Sequence, residues 1–378
     1  MTFPWLQPTA AYIHVPFCAH HCGYCDFAVA SGQDHQIDLY LEALGMELAA
    51  LGAPEPMTTI FIGGGTPTYL SVDQLDRLLG EIARWLPLQS GGEWSIESTP
   101  ESITPEKAGL LARYGVSRIS VGVQSFHSHL LPVLDRIHGP DHVAPAVAAA
   151  KGYGLQVSLD LIFGVPGQTL TEWQRDLERA MSLEPDHLST YGLTFEKGTP
   201  LWKQRERKQV RSLDEESERE MYLGAIDMLT EHGFEHYEIS NFAKPGLRCR
   251  HNEIYWANHA YHGFGMGAAR YVQGRRELNT RNLGDYLRKV LAGESPTFQS
   301  ECLEGEDRAR ETAIIQLRRG EGIGRSEFAK QTGFSIDALA GERIGQFVGQ
   351  GVLADTGERI LLTREGKCLA DEVMTRLL

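Results

Sequence analysis

From residue 11 to about residue 240, short β-branched and apolar runs alternate with longer stretches of helical periodicity. A parallel sheet joined by crossover helices gives this alternation, because strands covered on both faces read as near-continuous apolar runs. The strand candidates are Ala11–Val15, Thr59–Ile62, Trp94–Glu97, Arg118–Val123, Gln156–Ile162 and His187–Leu193, with Glu235–Ile239 as a candidate seventh. Between them, Ser71-Val-Asp-Gln74 and Thr169-Leu-Thr-Glu172 read as capping boxes, and Thr104-Pro105 places a cap residue before a first-turn proline. Six consecutive units predict an α/β fold built on a partial (β/α)6 TIM-like barrel. Pattern alone leaves a doubly wound sheet open.

The pattern changes after residue 240. Residues 241–300 carry glycine, histidine and aromatic clusters with little periodicity. Residues 301–378 turn mostly helical, with a β-ribbon expected over 351–362, the order of a small winged-helix-like domain. The expected organisation is therefore a core over 1–240, a connecting segment over 241–300 and a C-terminal domain over 301–378. That last domain holds 14 acidic and 11 basic residues, which favours a scaffold or docking role over DNA binding.

Composition narrows the function classes. The chain has 378 residues, 42% apolar and 23% charged, the make-up of a globular protein with room for a sizeable core. No apolar run approaches the roughly 18 residues of a membrane span, so no intrinsic membrane insertion is expected. The first residues lack a basic start and an apolar h-region, which predicts a cytoplasmic protein. A net charge of −14 argues against nucleic acid as a partner, since that affinity draws on Lys and Arg. The basic run from Lys203 to Arg211 is offset by the acidic run from Asp214 to Glu220 and reads as a solvated face.

Six cysteines make a poor disulfide framework, because Cys18, Cys22 and Cys25 crowd one loop while Cys249, Cys302 and Cys368 are scattered. The loop spaces its thiols as CxxxCxxC directly after the first strand candidate. Three thiolates suit a [4Fe-4S] cluster that keeps one iron open to a small molecule. A structural zinc site with His20 or His21 as fourth ligand is the competing reading. In parallel barrels functional side chains gather at the carboxyl ends of strands. Glu97, Gln124 and Asp160 should face that common mouth. Asp160 sits within an apolar run, so it needs either a ligand or a structural hydrogen bond. The loop Gly63-Gly-Gly-Thr-Pro-Thr68 lacks the Lys-Ser/Thr ending of a P-loop, and its backbone N–H groups are expected to approach a bound carboxylate or ribose. Gly263-Phe-Gly-Met-Gly267 reads as a tight loop near the mouth.

Taken together these motifs resemble the coproporphyrinogen III dehydrogenase-like branch of the radical S-adenosylmethionine (SAM) superfamily, over nearly the whole chain. The marks are Tyr12-Ile-His-Val-Pro-Phe-Cys18, Phe61-Ile-Gly-Gly-Gly-Thr-Pro67, Val121-Gly-Val-Gln-Ser-Phe126, Arg136-Ile-His-Gly139, Leu159-Asp-Leu-Ile162 and the C-terminal domain. The resemblance implies a cluster held by Cys18, Cys22 and Cys25. It also implies a SAM site lined by Tyr12, Tyr24, Gly65, Thr66, Glu97, Gln124, Arg136 and Asp160. Glu97-Ser-Thr-Pro100 departs from the usual Glu-Ala-Asn-Pro, which leaves the glutamate role intact.

Two features separate the chain from the dehydrogenases of that branch. Those read CxxxCxxCxC, whereas Phe27 stands where their fourth cysteine falls, and only eleven residues precede Tyr12 where they carry a long extension. The chain instead has His251-Asn-Glu-Ile-Tyr-Trp256, similar to the HNxxYW signature of the branch's haem chaperones. Neutral imidazole is a common axial ligand of haem iron, and Tyr255 and Trp256 offer flat apolar surface. His251 is thus the leading haem contact. A surface or capping histidine is the plainer reading, and Cys249, His259 and His262 are rivals. The resemblance implies haem and haem-acceptor proteins as partners, and a homodimer is compatible with the sequence. The alternative function is an oxygen-independent coproporphyrinogen III dehydrogenase.

Overall fold

The computed structural model describes residues 4–377. Six strands run parallel in chain order, each paired with the next. They are β1 (Ala10–Val15), β2 (Met57–Gly64), β3 (Leu88–Ser98), β4 (Arg118–Gln124), β5 (Gln156–Phe163) and β6 (His187–Gly192). Helices α1 (Ile37–Ala49), α2 (Val72–Trp85), α3 (Pro105–Arg113), α4 (Val143–Gly152) and α5 (Leu170–Ser182) form the crossovers. A doubly wound sheet reverses its strand order at a switch point. Here the order is strictly sequential, and no pairing among the described residues returns the last strand to the first. The core is a partial barrel of six βα units.

Strand periodicity explains both faces of that barrel. Along β4, Ile119, Val121 and Val123 are buried against the helices, while Arg118, Ser120, Gly122 and Gln124 face the interior cavities. β5 repeats this, with Val157, Leu159, Leu161 and Phe163 outward and Ser158, Asp160 and Ile162 inward. Small polar residues on alternate positions keep an interior space that larger apolar ones would fill. Both capping boxes form, at Ser71 and Thr169, and Thr104 caps α3 ahead of Pro105.

After β6 come α6 (Pro200–Glu206) and α7 (Glu215–Glu231), on which most basic and acidic side chains of the two charge runs are exposed. Trp173 on α5 is fully buried and its indole N–H donates to Met221 O at 2.8 Å, fixing α7 to the barrel. The candidate seventh strand is not a further parallel unit. Only β7 (Glu235–His236) forms there, antiparallel to β8 (Asn241–Ala243), which itself runs antiparallel to β6.

Residues 241–300 contain more regular structure than their pattern suggests. Helix α8 (Arg250–Trp256) precedes β9 (Tyr261–Phe264), which pairs parallel with β1. β10 (Ala269–Val272), β11 (Arg275–Asn279) and β12 (Thr297–Cys302) continue the sheet outward antiparallel, with α9 (Leu283–Leu291) packed on α1. A Cβ at Gly263 would collide with the Ala269 carbonyl, so the tight β9–β10 turn requires glycine there.

The remaining helices are α10 (Gly305–Leu317), α11 (Arg325–Thr332), α12 (Ile336–Gly349), α13 (Arg364–Cys368) and α14 (Ala370–Leu377). They surround a small sheet of β13 (Ile323–Gly324), β14 (Leu353–Asp355) and β15 (Arg359–Leu362). The β14–β15 ribbon is the predicted wing, and Leu317, Phe328, Ile344 and Ile360 belong to a core separate from that of the barrel. Arg219–Glu365 at 2.7 Å and Arg364–Asp227 at 2.6 Å tie this unit to α7. No helix of the described residues is long and apolar enough to cross a membrane.

Glu47 fastens the added strands to the barrel. Its buried carboxylate accepts from Gly265 N at 2.8 Å, Tyr286 Oη at 2.6 Å and Asn279 Nδ2 at 2.9 Å. Removing it strands three buried donors, each costly to leave unmade. Glu47→Ala is expected to lower unfolding stability by about 3 kcal/mol in a denaturant titration, and Glu47→Gln by clearly less.

Candidate functional site

Two cavities meet inside the barrel. The larger, about 840 Å³, opens at the carboxyl ends of the strands and is lined by Cys18, Cys22 and Cys25 together with Tyr24, Gly65, Thr66, Glu97, Gln124, Arg136 and Asp160. Every residue that the resemblance assigns to cluster or SAM, Tyr12 excepted, therefore lines one space. Tyr12 sits deeper, on the wall of the second cavity, where its ring stacks on Phe61 and its hydroxyl lies 3.1 Å from His14 Nδ1.

The cysteine loop leaves β1 and folds back on the barrel, with Ala30 N donating to Pro16 O at 2.8 Å and Gly23 N to Leu134 O at 3.3 Å. Among the described residues, the ligand atoms of His127, His129 and Glu172 are the one set of three gathered within 4.8 Å of one another. The three thiols share one cavity wall without being gathered that closely. His21 Nε2 is engaged with Cys25 O at 3.1 Å and His20 faces Asp135 at 3.1 Å, so neither completes a set with the thiols. Burial pushes the Cys18 thiol up to about 11, against the Thr66 hydroxyl at 3.5 Å that favours the thiolate. Burial likewise raises Cys22 and Cys25, with the Arg136 charge opposing it. Binding iron there must release thiol protons.

The glycine triplet works differently from expectation. Gly64 N donates to Glu97 Oε2 at 2.9 Å, Gly65 N to Val15 O and Thr66 N to Phe17 O, both at 2.8 Å. These N–H groups are spent within the protein, so they do not greet a ligand. Glycine is needed for close packing instead, since a Cβ at Gly63 would sit 2.7 Å from the Glu97 carboxyl and one at Gly65 2.7 Å from Phe17 O. Glu97 is thereby held at the mouth. Burial raises its carboxyl to about 7, with the Gly64 N–H opposing and the Asp160 charge adding to the rise. Asp160 accepts two short contacts from Ser120 Oγ, at 3.0 and 2.9 Å, and burial raises its carboxyl too. It has a structural partner and also lines the cavity, so its two readings coexist. Gln124 ends β4 with φ at 66°, an uncommon conformation for a non-glycine residue, which turns the chain out of the strand beside Arg136. Arg136 donates to Gly122 O at 3.3 Å and its Nε has no partner.

The second cavity, about 490 Å³, is the barrel lumen. It shares Phe27, Glu97, Ser120, Asp160 and Tyr191 with the mouth, so the two spaces are continuous. Its walls are aromatic, with Tyr12, Phe61, Tyr255 and Tyr261, and its floor carries Arg118, His187, Cys249 and His251. α8 closes that floor at the amino ends of the strands. His251 is buried there, its ring 5.3 Å from Phe61, and its Nδ1 lies 2.9 Å from Thr59 Oγ1. Its Nε2 has no partner. Burial drives the imidazole down to about 3, so it is neutral at ordinary pH. His251 and the thiols thus occupy opposite ends of one continuous space, which no motif spacing predicts. Of its rivals, Cys249 also lines the lumen, with Sγ 3.5 Å from Glu93. His262 is outside it, held by Glu55 at 2.9 Å, and His259 lines neither cavity.

Sequence reasoning missed Arg118 and Glu93. Arg118 opens a strand whose intervening positions are Ile119, Val121 and Val123, which was the available signal, and Glu93 lies in the part of β3 that the pattern left outside the strand.

Comparison with known proteins agrees with this architecture. The Radical SAM superfamily model matches residues 12–180 and the HemN C-terminal domain model residues 303–369. The chain is 36% identical to heme chaperone HemW of Bacillus subtilis, over 96% of this chain and 97% of that one. It is 34% identical to heme chaperone HemW of Escherichia coli, over 98% of both. The solved structure of coproporphyrinogen III oxidase HemN from Escherichia coli superposes with a TM-score of 0.85, at 22% identity, over 98% of this chain and 90% of that one, a likeness of fold. The full-length identities decide the family: the chain belongs to the HemW family, within the radical SAM superfamily.

Proposed function

We propose that this chain is a haem chaperone that binds haem and hands it to haem-requiring respiratory proteins, using a [4Fe-4S] cluster and a SAM site of radical SAM type. The observation that carries the reading is identity of about 35% along the whole length to proteins named heme chaperone HemW. Cys18, Cys22 and Cys25 would hold the cluster, and the donor set of three thiols on one cavity fits it. When bound and reduced, such a cluster supplies an electron able to cleave the SAM sulfonium. The chain's own residues orient the cofactor. Glu97, ionised, suits the SAM amino group, Arg136 its carboxylate, and Gln124 and Asp160 its hydroxyls, while Tyr24, Gly65 and Thr66 shape the wall. Tyr12 bounds the site from the lumen side.

The lumen supports the haem part of the reading. In the tautomer with its proton on Nδ1 toward Thr59, His251 keeps an unpaired Nε2 lone pair, and its side chain lines the aromatic-walled space. In this reading residues 1–240 carry the cluster and SAM, 241–300 supply the haem side, and 301–378 dock the acceptor in the cytoplasm.

Anaerobically reconstituted protein should bind haem stoichiometrically, followed by its Soret band. It should form no decarboxylated product from coproporphyrinogen III with SAM and reductant, and turnover there would overturn the reading. A second expectation concerns pH. Because the Glu97 carboxyl titrates near 7 and a cationic amine prefers its ionised form, SAM affinity should rise from pH 6 to 8, by up to about tenfold per unit below the pKa. Isothermal titration should find that slope in the native chain and a flat profile in Glu97→Gln.

A further inference from the structure

Arg118 is buried to 3% side-chain exposure at the start of β4, on the lumen floor. Its Nη2 is fully engaged, at 3.5 Å from Glu93 Oε2, 2.9 Å from Leu247 O and 3.3 Å from Arg248 O. Its Nε and Nη1 have no partner. Buried guanidinium donors left unmade are costly, and among the described residues no acceptor reaches these two. Asp160 at the upper end is held by Ser120, and Glu97 by Gly64. His187, which also lines the floor, is pushed well below the usual histidine range by burial and by the Arg118 charge, so the cation acts on this part of the cavity.

His251, whose Nε2 has no partner, lines the same space, and one carboxylate fixes both residues. Glu93 Oε2 takes Arg118 Nη2, and Glu93 Oε1 takes the His251 backbone N–H at 3.3 Å. The lumen thus sets a neutral lone-pair donor beside unspent cationic N–H groups, under aromatic walls formed by Tyr12, Phe61, Tyr255 and Tyr261. That combination fits a flat apolar ligand with an anionic arm. Resting on the haem-chaperone reading, we propose that Arg118 is the carboxylate-recognition residue of the lumen and receives a propionate of the haem whose iron meets His251. The cavity of about 490 Å³, continuous with the mouth, lies within the size range of sites that enclose small ligands, about 300–1,000 Å³.

The test compares haem with haem dimethyl ester, in which both carboxylates are esterified, on the cluster-loaded full-length chain in mild detergent, by Soret titration. The native protein should bind haem about tenfold or more tighter than the ester, as expected for a charge-assisted hydrogen bond. Arg118→Gln should lose that preference and bind haem and its ester with equal affinity. Acetate should compete with haem in the native chain and have no effect on ester binding. Arg118→Lys, which keeps the charge beside Glu93 but lacks the guanidinium fork, should retain only part of the preference. An undiminished preference in Arg118→Gln, or equal native affinity for the two porphyrins, overturns the proposal and leaves haem binding standing. If neither porphyrin binds, the haem-chaperone reading itself fails. Should neither variant fold, the native comparison decides, tenfold preference supporting the assignment and equality overturning it.

Discussion

The buried carboxylate of Glu93 is the constraint on which the interior depends. A six-stranded parallel sheet that does not close leaves its lumen open at the amino ends of the strands, and α8 is what covers that end. Glu93 holds α8 there by accepting from Arg250 N at 3.2 Å, His251 N at 3.3 Å and Cys249 Sγ at 3.5 Å, while Arg118 offsets its charge from the neighbouring strand. A carboxylate facing the first amides of a helix satisfies groups that have no intrahelical partner and matches the helix dipole. Taking Glu93 away would leave a buried guanidinium and a helix terminus without partners, so the floor of the lumen and the position of His251 stand or fall together.

From that floor upward the barrel is organised by polarity. Ionisable groups that bear on chemistry are held in two layers, Arg118, His187 and His251 at the bottom and Glu97, Asp160 and Arg136 at the top. Burial keeps the lower histidines neutral and brings Glu97 to about 7, so Glu97 responds to ordinary pH and the lower histidines do not. An aromatic sleeve separates the layers. Phe27, half in each cavity and well exposed, stands at their junction beside the cysteine loop. A ligand in the lumen and a cofactor in the mouth would meet across it.

Much of this was legible in the sequence, for identifiable reasons. The six parallel strands announced themselves because each buries an outward apolar row against the helices, as Ile119, Val121, Val157 and Leu159 do. The cysteine loop was legible because its three thiols lie close together in sequence. Residues 235–239 misled because β7 is a two-residue edge strand, where apolar content reflects packing under the C-terminal unit. β9 to β12 were hidden by short length and by glycines whose role is close backbone approach, as at Gly263. The glycine triplet was found but its physics was misjudged, since its amides serve Glu97, Val15 and Phe17. No spacing rule says which end of a barrel a later helix will cover, so the distance between His251 and the thiols required the fold. Arg118 needed a count of unmade hydrogen bonds, which sequence does not supply.

Contact between haem iron and His251 at the closed end of the lumen is read from the electron paramagnetic resonance and Soret spectra of ferric haem bound to cluster-loaded native protein and to His251→Ala. The native chain should give a histidine-ligated signal that is lost in the variant and restored by added imidazole, which can occupy the space vacated by the side chain. An unchanged spectrum in His251→Ala would place the iron elsewhere.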